Sequence, residues 1–168
     1  MLHVAPEYAL AVYLSDVSEY IGVDIDPKSY EDHSHVEYCD ITNIAQPDDT
    51  FDLIICSHVL EHVPRDDAAI KELSRVLRTD GIALLQVPIG MALSETIEDP
   101  SLTDPCERER RFGQHDHVRI YGPDYPQRLA AGGFVVEIFD PVAHWGANVV
   151  STMRLNRRER LYVGREHR

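Results

Sequence analysis

The stretch FDLIICSHVLEHVPRDDAAIKELSRVLRTDGIALLQVP, residues 51–88, decides the fold. Phe51 to Cys56 is apolar nearly throughout, as a strand covered on both faces must be. Pro64 precedes a run in which Ala69, Ile70, Leu73, Val76 and Leu77 fall on one helical face. Asp66 and Asp67 suit the positive end of that helix's dipole, and Lys71, Arg75 and Arg78 lie toward its negative end. Asp80-Gly81 is the expected stop. Ile82 to Val87 then reads as another buried strand, closed by Pro88. Strand, helix and strand in this order, with unbroken apolar strands, predict a mostly parallel α/β sheet.

The same alternation extends outward. Leu2 to Ala5 is a short strand, and Pro6 suits the first turn of a helix with Tyr8, Leu10, Ala11 and Leu14 on its buried face. Tyr20 to Ile25 is a second strand ended by Asp26-Pro27, and His35 to Cys39 a weaker third. On the other side, residues 90–122 form a polar stretch with little periodicity, too long for a plain connection. Asp124 to Ala131 predicts a helix stopped by Gly132-Gly133, Phe134 to Phe139 a strand, and Arg160 to Val163 a last strand. Linker-like composition appears only near residues 141–157. With no internal repeat or domain boundary, residues 1–168 are expected to be one domain carrying an insertion at about 90–122.

Composition excludes several classes. The 168 residues are 43% hydrophobic, enough for one core. No apolar run approaches the ~18 residues of a membrane helix, and no basic region precedes an apolar stretch at the start, so no secretory signal is indicated. Cys39, Cys56 and Cys106 form no CxxC pair, so neither a disulfide framework nor a cysteine zinc site is indicated. A reducing cytoplasm is the expected location. The net charge of −13 is uneven, −16 over residues 1–105 and +3 over residues 106–168. Such a field repels phosphate backbones, which disfavours nucleic acid as a partner. The basic third can attract an anionic substrate or lie against the acidic part.

In open α/β sheets, ligands bind beyond the carboxyl ends of the strands, near the topological switch point. Those ends carry Ala5-Pro6-Glu7, Asp24, Asp40, Cys56-Ser57-His58 and Val87-Pro88. An acidic residue ending the second strand can accept hydrogen bonds from both hydroxyls of a ribose. Asp24 is equally read as a strand-ending residue of the turn Asp24-Ile25-Asp26-Pro27. His58 and His62, four apart, can share a helical face and bind metal, but the segment is not HExxH. A structural role and a place near cofactor or acceptor are the other readings. His115, Asp116 and His117 form a second cluster beside Arg119 and Tyr121. An Asp-His pair can serve as a general base and an arginine can clamp a carboxylate or phosphate; alternatively the cluster ties the insertion down.

The segments YIGVDIDP, YCDIT, residues 51–88 and LAAGGFVVEIFD resemble class I S-adenosylmethionine-dependent methyltransferases of the type 11 kind, from residue 2 to about residue 140. FGQHDHVRIYGPDY, residues 112–125, resembles a narrower subgroup whose first strand reads Leu-His-x-Ala-Pro-Glu. The resemblance implies a Rossmann-like sheet of order 3-2-1-4-5-7-6 with helices on both faces, and S-adenosylmethionine as cofactor. It implies Asp24 on the ribose hydroxyls, Ile25 bordering the adenine, Asp40 accepting from the adenine amino group and Ile41 on its ring. Cys56, Ser57 and His58 would lie beside the methionyl part, with no metal. The insertion would enclose the acceptor.

The sequence departs from the family at two places. Ala5-Pro6-Glu7-Tyr8 replaces the glycine-rich turn whose backbone approaches the cofactor, placing Ala5 and Glu7 beside it. The chain also opens directly on the first strand, without the helical or zinc-ribbon-like region found before it in relatives, and so reads as N-terminally shortened. Homodimerisation is the expected cover for the surface this leaves. The expected activity is methyl transfer to a small-molecule or glycan-like acceptor, with His117 and Asp116 as the base and His115, Arg119 and Tyr121 on the acceptor. A degenerate, non-catalytic binding module is the alternative. An NAD-linked enzyme is disfavoured because G-x-G-x-x-G is absent.

Overall fold

The structure is a computed structural model that describes residues 1–16, 19–30 and 35–166. The predicted alternation forms one seven-stranded sheet. In chain order the elements are β1 (Leu2–Val4), α1 (Tyr8–Leu14), β2 (Ile21–Asp24), β3 (Val36–Tyr38), β4 (Phe51–Ser57), α2 (Asp66–Val76) and β5 (Leu77–Gln86). They continue with β6 (Ile97–Glu98), α3 (Pro105–Phe112), β7 (Arg119–Ile120), α4 (Tyr125–Ala131), β8 (Phe134–Phe139), α5 (Pro141–Trp145), α6 (Ala147–Thr152) and β9 (Leu161–Glu166).

The strand order is β3-β2-β1-β4-β5-β9-β8. β1 pairs in parallel with both β2 and β4, while β9 runs antiparallel between β5 and β8. Apart from the short β6 and β7, which pair only with each other, this is the arrangement expected from the resemblance. Leu2, Val4, Val23, Ile54, Cys56, Ala83 and Leu85 are buried along the sheet, and Ala69, Ile70 and Leu73 of α2 join the same core. Gly132, just past α4, lies so close to Ile70 that a Cβ there would collide with its Cγ2. No helix among the described residues is long and apolar enough to cross a membrane.

Four local expectations are corrected. α1 begins at Tyr8, with Pro6 two residues ahead of it, and of its apolar residues only Ala11 is buried while Tyr8 and Leu10 are exposed. α2 ends at Val76, and the chain enters β5 directly at Leu77, so Arg78 lies in a strand. Asp80, expected to stop the helix, is instead a left-handed residue (φ 67°) within β5. Residues 141–157, linker-like in composition, hold α5, whose N-terminus is capped by Asp140, and α6. The insertion carries the β6–β7 pair and α3, capped by Asp104 and ended by Gly113 at φ 86°.

Candidate active site

The parallel strands bring their carboxyl ends to one edge of the sheet, and the branch between β1 and β4 opens a cleft there. A cavity of about 390 Å³ occupies it. Val4 and Ala5 after β1, Asp24 and Ile25 after β2, and Cys39, Asp40, Ile41 and Thr42 after β3 line one side. The β4–α2 connection supplies Val59, His62 and Val63-Pro64-Arg65 on the other.

The two carboxylates are held by their own turns. Asp24 Oδ1 accepts from the Asp26 N–H at 2.7 Å and Oδ2 from the Tyr30 hydroxyl at 2.8 Å. Each oxygen retains a lone pair for a further donor. Burial and the adjacent Asp24 carboxylate push the Tyr30 phenol well above its ordinary value, so it stays a donor. Asp40 Oδ1 accepts from the backbone N–H and hydroxyl of Thr42 at 2.9 and 2.7 Å, while Oδ2 has no hydrogen-bond partner among the described residues. Two fixed acceptors flanked by Ile25, Ile41, Val63 and Pro64 suit a molecule with a diol, an exocyclic amine and a flat apolar ring. Ala5 adopts φ 47°, the left-handed conformation that a glycine takes without strain, and its N–H donates to the Val23 carbonyl at 2.8 Å.

A second cavity of about 790 Å³ lies beyond the ends of β4 and β5. His58, Gln86, Pro88, Ile89 and Met91 line it on one side, and the Asn156–Arg160 segment with Tyr162 on the other. His58 holds a strained left-handed backbone (φ 54°), and its Nδ1 is 3.5 Å from Oε1 of the buried Glu61. Gln86 Oε1 is buried without a hydrogen-bond partner.

Residues 5–85, just under half of the chain, match the family described as a methyltransferase domain. The match starts just past β1 and joins strands β2 to β5 of the sheet to that family's pattern. Solved structures of the same fold cover nearly the whole chain. A structure of the Haloferax volcanii Trm112 methyltransferase activator in complex with a methyltransferase aligns over 99% of this chain and 82% of its own, at 14% identity and a TM-score of 0.65. An S-adenosylmethionine-dependent methyltransferase of Mesorhizobium loti aligns over 98% and 89%, at 15% identity and a TM-score of 0.61. The [4+2]-cyclase SpnF aligns over 98% and 74%, at 14% identity and a TM-score of 0.58. No curated protein sequence matches the chain.

The carboxyl edge of the sheet gathers Ala5, Asp24, Ile25, Asp40 and Ile41 in one cavity. Glu7 is not among its lining residues; its carboxylate lies 3.2 Å from Nε2 of the buried His3. Cys56 faces the core, where burial pushes its thiol far up, and Ser57 lines neither cavity. His58 alone of that trio reaches a cavity, and it is the second one.

The insertion departs furthest from expectation. Only Met91 from within it lines the second cavity. Arg119 is fully buried, donating to the Leu60, Val63 and Pro64 carbonyls and to Glu98 at 3.0 Å. Tyr121 is equally buried, with its hydroxyl 2.8 Å from Asp66 Oδ2. Neither side chain can reach an acceptor, because both hold the insertion to the β4–α2 connection. His115 is exposed and lines neither cavity. The expected Asp116–His117 base does not form: Asp116 Oδ2 pairs with His62 Nδ1 at 3.2 Å, and His117 is buried with Nδ1 3.2 Å from the Phe112 carbonyl.

The residues that sequence reasoning missed are Thr42, Val59 and Val63-Pro64-Arg65 in the first cavity and Gln86 and Arg157-Arg158-Glu159-Arg160 in the second. The run of arginines was the available signal, since its surplus of positive charge stands out in an acidic chain.

Proposed function

We propose that the chain transfers the methyl group of S-adenosylmethionine to a small-molecule or glycan-like acceptor that carries negative charge. The cavity of Asp24, Asp40, Ile25 and Ile41 takes the nucleoside, and the cavity of His58, Gln86 and Arg157–Arg160 takes the acceptor. The observation that carries this reading is the single segment His58–His62. His62 lines the first cavity and His58 the second, so one turn of chain separates two compartments of suitable size.

The cofactor supplies an electrophilic methyl on a sulfonium. Bound in the first cavity, it would give that carbon to the acceptor's nucleophilic atom, with the carbon–sulfur bond broken and S-adenosylhomocysteine as the leaving group. The protein's share is alignment, together with removal of the acceptor's proton where the nucleophile is a hydroxyl or ammonium. His58 is placed for that proton, with Glu61 behind its Nδ1 to orient the ring and offset the charge it gains. Asp116, assigned to proton removal from sequence, acts here through its pairing with His62. Gln86 Oε1 offers a fixed acceptor for an N–H or O–H of the substrate. Arg158, whose guanidinium has no partner among the described residues, faces the acceptor's anionic group, while Arg160 is paired with Asp140 at 2.9 Å.

Incubation with S-adenosylmethionine and a panel of anionic and neutral small acceptors, with S-adenosylhomocysteine release as the readout, tests this reading. Turnover that prefers anionic acceptors and a raised KM in Arg158→Ala support it. Tight S-adenosylhomocysteine binding with no turnover on any acceptor supports a binding module. SpnF, a cyclase on this fold, shows why the fold alone does not decide the chemistry. Tyr8, Leu10, Val12 and Tyr13 are exposed on α1 and favour self-association. A homodimer is the proposed state, and sedimentation of a monomer rejects it.

A further inference from the structure

Behind the wall between the two cavities lies a cluster that the proposed reaction uses only in part. Glu61, His62 and His117 each offer a ligand atom within 4.8 Å of the other two. Glu61 is 1% exposed, its Oε1 faces His58, and its Oε2 has no hydrogen-bond partner. A buried carboxylate oxygen left without a donor costs free energy unless something positive completes it.

The imidazoles are oriented for that role. The Phe112 carbonyl can only accept, so His117 carries its proton on Nδ1 and keeps a lone pair on Nε2. Ionised Asp116 imposes the same tautomer on His62. An imidazole whose far nitrogen is fixed by a carboxylate or a backbone carbonyl is the usual arrangement around a protein-bound metal. The positive charge nearby, Arg119, is already engaged by Glu98 at 3.0 Å and Asp66 at 3.6 Å. The two segments are also tied by the backbone, with Val118 N–H donating to the Glu61 carbonyl at 3.0 Å.

We propose that Glu61, His62 and His117 form a site for a divalent transition-metal ion of the zinc class, bound by one carboxylate oxygen and two Nε2 atoms. Tetrahedral zinc ligands stand about 3.4 Å apart when each lies about 2.0–2.1 Å from the ion. Side-chain movements of roughly 1 Å therefore close the shell. Two imidazoles and a carboxylate select zinc, cobalt or iron over calcium or magnesium, which prefer all-oxygen shells. Three protein ligands leave a fourth position open, and one of the three, His62, also lines the first cavity. The site rests on this donor set alone and stands whether or not the chain transfers methyl groups.

The test is a cobalt(II) titration of chelator-treated full-length protein, read by visible absorption, with zinc competition and metal content of the untreated protein beside it. About one equivalent of tetrahedral or five-coordinate cobalt, displaced by zinc, is the expected result. Glu61→Gln, His62→Gln and His117→Ala should each abolish that absorption. Asp116→Ala, which removes an orienting partner and not a ligand, should weaken the affinity by about 10–100-fold. Circular dichroism identifies any variant that fails to fold, and the remaining ligand variants then decide. Absence of a stoichiometric cobalt site in the wild-type protein overturns the proposal. So does a site that survives loss of two of the three ligands, since exposed histidines would then be the binders.

Discussion

The Tyr30 hydroxyl donates to Asp24 Oδ2 at 2.8 Å, fixing the carboxylate at the end of β2 from the side away from the backbone N–H of Asp26. Tyr30 is not itself among the residues lining the cavity. Its contribution is to hold a rotamer, so Tyr30→Phe should weaken S-adenosylhomocysteine binding by about 0.5–1.5 kcal/mol, the value of one hydrogen bond. Calorimetric titration measures this. Unchanged affinity would mean that Asp24 is held well enough by its own turn.

Ala5→Gly should stabilise the protein. A left-handed alanine costs roughly 1–2 kcal/mol, and glycine's extra freedom in the unfolded chain returns about 0.4–1 of that. A gain of about 0.5–1 kcal/mol in urea denaturation is expected, with cofactor affinity preserved because the backbone already has the required conformation. A loss of stability would show that the methyl group of Ala5 packs favourably enough to offset the strain.

Arg119→Met should destabilise by about 3–5 kcal/mol, because the Leu60, Val63 and Pro64 carbonyls and Glu98 lose a buried cationic partner together. Arg119→Lys should recover only part of this, since a single ammonium cannot span the fork. Denaturation midpoints check both. A fully stable Arg119→Met with a raised acceptor KM would restore the substrate role that the sequence suggested.

The sheet was legible because burial on both faces leaves an unbroken apolar run, as in Phe51–Cys56, and because α2 keeps its apolar residues on one face. The grouping of Asp24 and Asp40 in one cavity was legible because both sit at or just past strand ends, where the strand pattern fixes position. Arg119 and Tyr121 were not, because their partners are distant in sequence: the Leu60, Val63 and Pro64 carbonyls lie 55 to 59 residues from Arg119, Asp66 lies 55 from Tyr121, and Glu98 lies 21 from Arg119. No local spacing distinguishes a buried arginine of that kind from one that clamps a substrate. The helix stop failed at Asp80-Gly81 because α2 runs into β5 at Leu77 without a breaker, and the exposed Arg78-Thr79-Asp80 resembles a helix end. Residues 156–160, of which 156–157 read as linker and Arg160 as a strand start, were not legible as cavity wall, because nothing in a short arginine run reveals which cavity the fold brings it to.

Burial holds the His3 imidazole below its ordinary value of 6.5, although Glu7 works in the opposite direction. The folded protein therefore resists a proton that the unfolded chain accepts. Between pH 6.5 and the lower folded value the unfolded state binds more protons, so stability is full above that window and falls as the pH drops through it. Urea denaturation at pH 7.5 and pH 5.5 should show this loss, and His3→Gln should reduce the difference. A variant with an unchanged difference would assign the acid sensitivity to other groups.

Titration of S-adenosylhomocysteine into the wild-type protein and Asp24→Ala tests the central claim, that the cavity at the ends of β1, β2 and β3 is the nucleoside site. The predicted result is saturable wild-type binding, no tighter than roughly micromolar. Asp24→Ala should weaken it by about 1–3 kcal/mol as the ribose contacts are lost, with unchanged circular dichroism. Equal dissociation constants for the two proteins, or no binding by the folded wild type, would contradict the account.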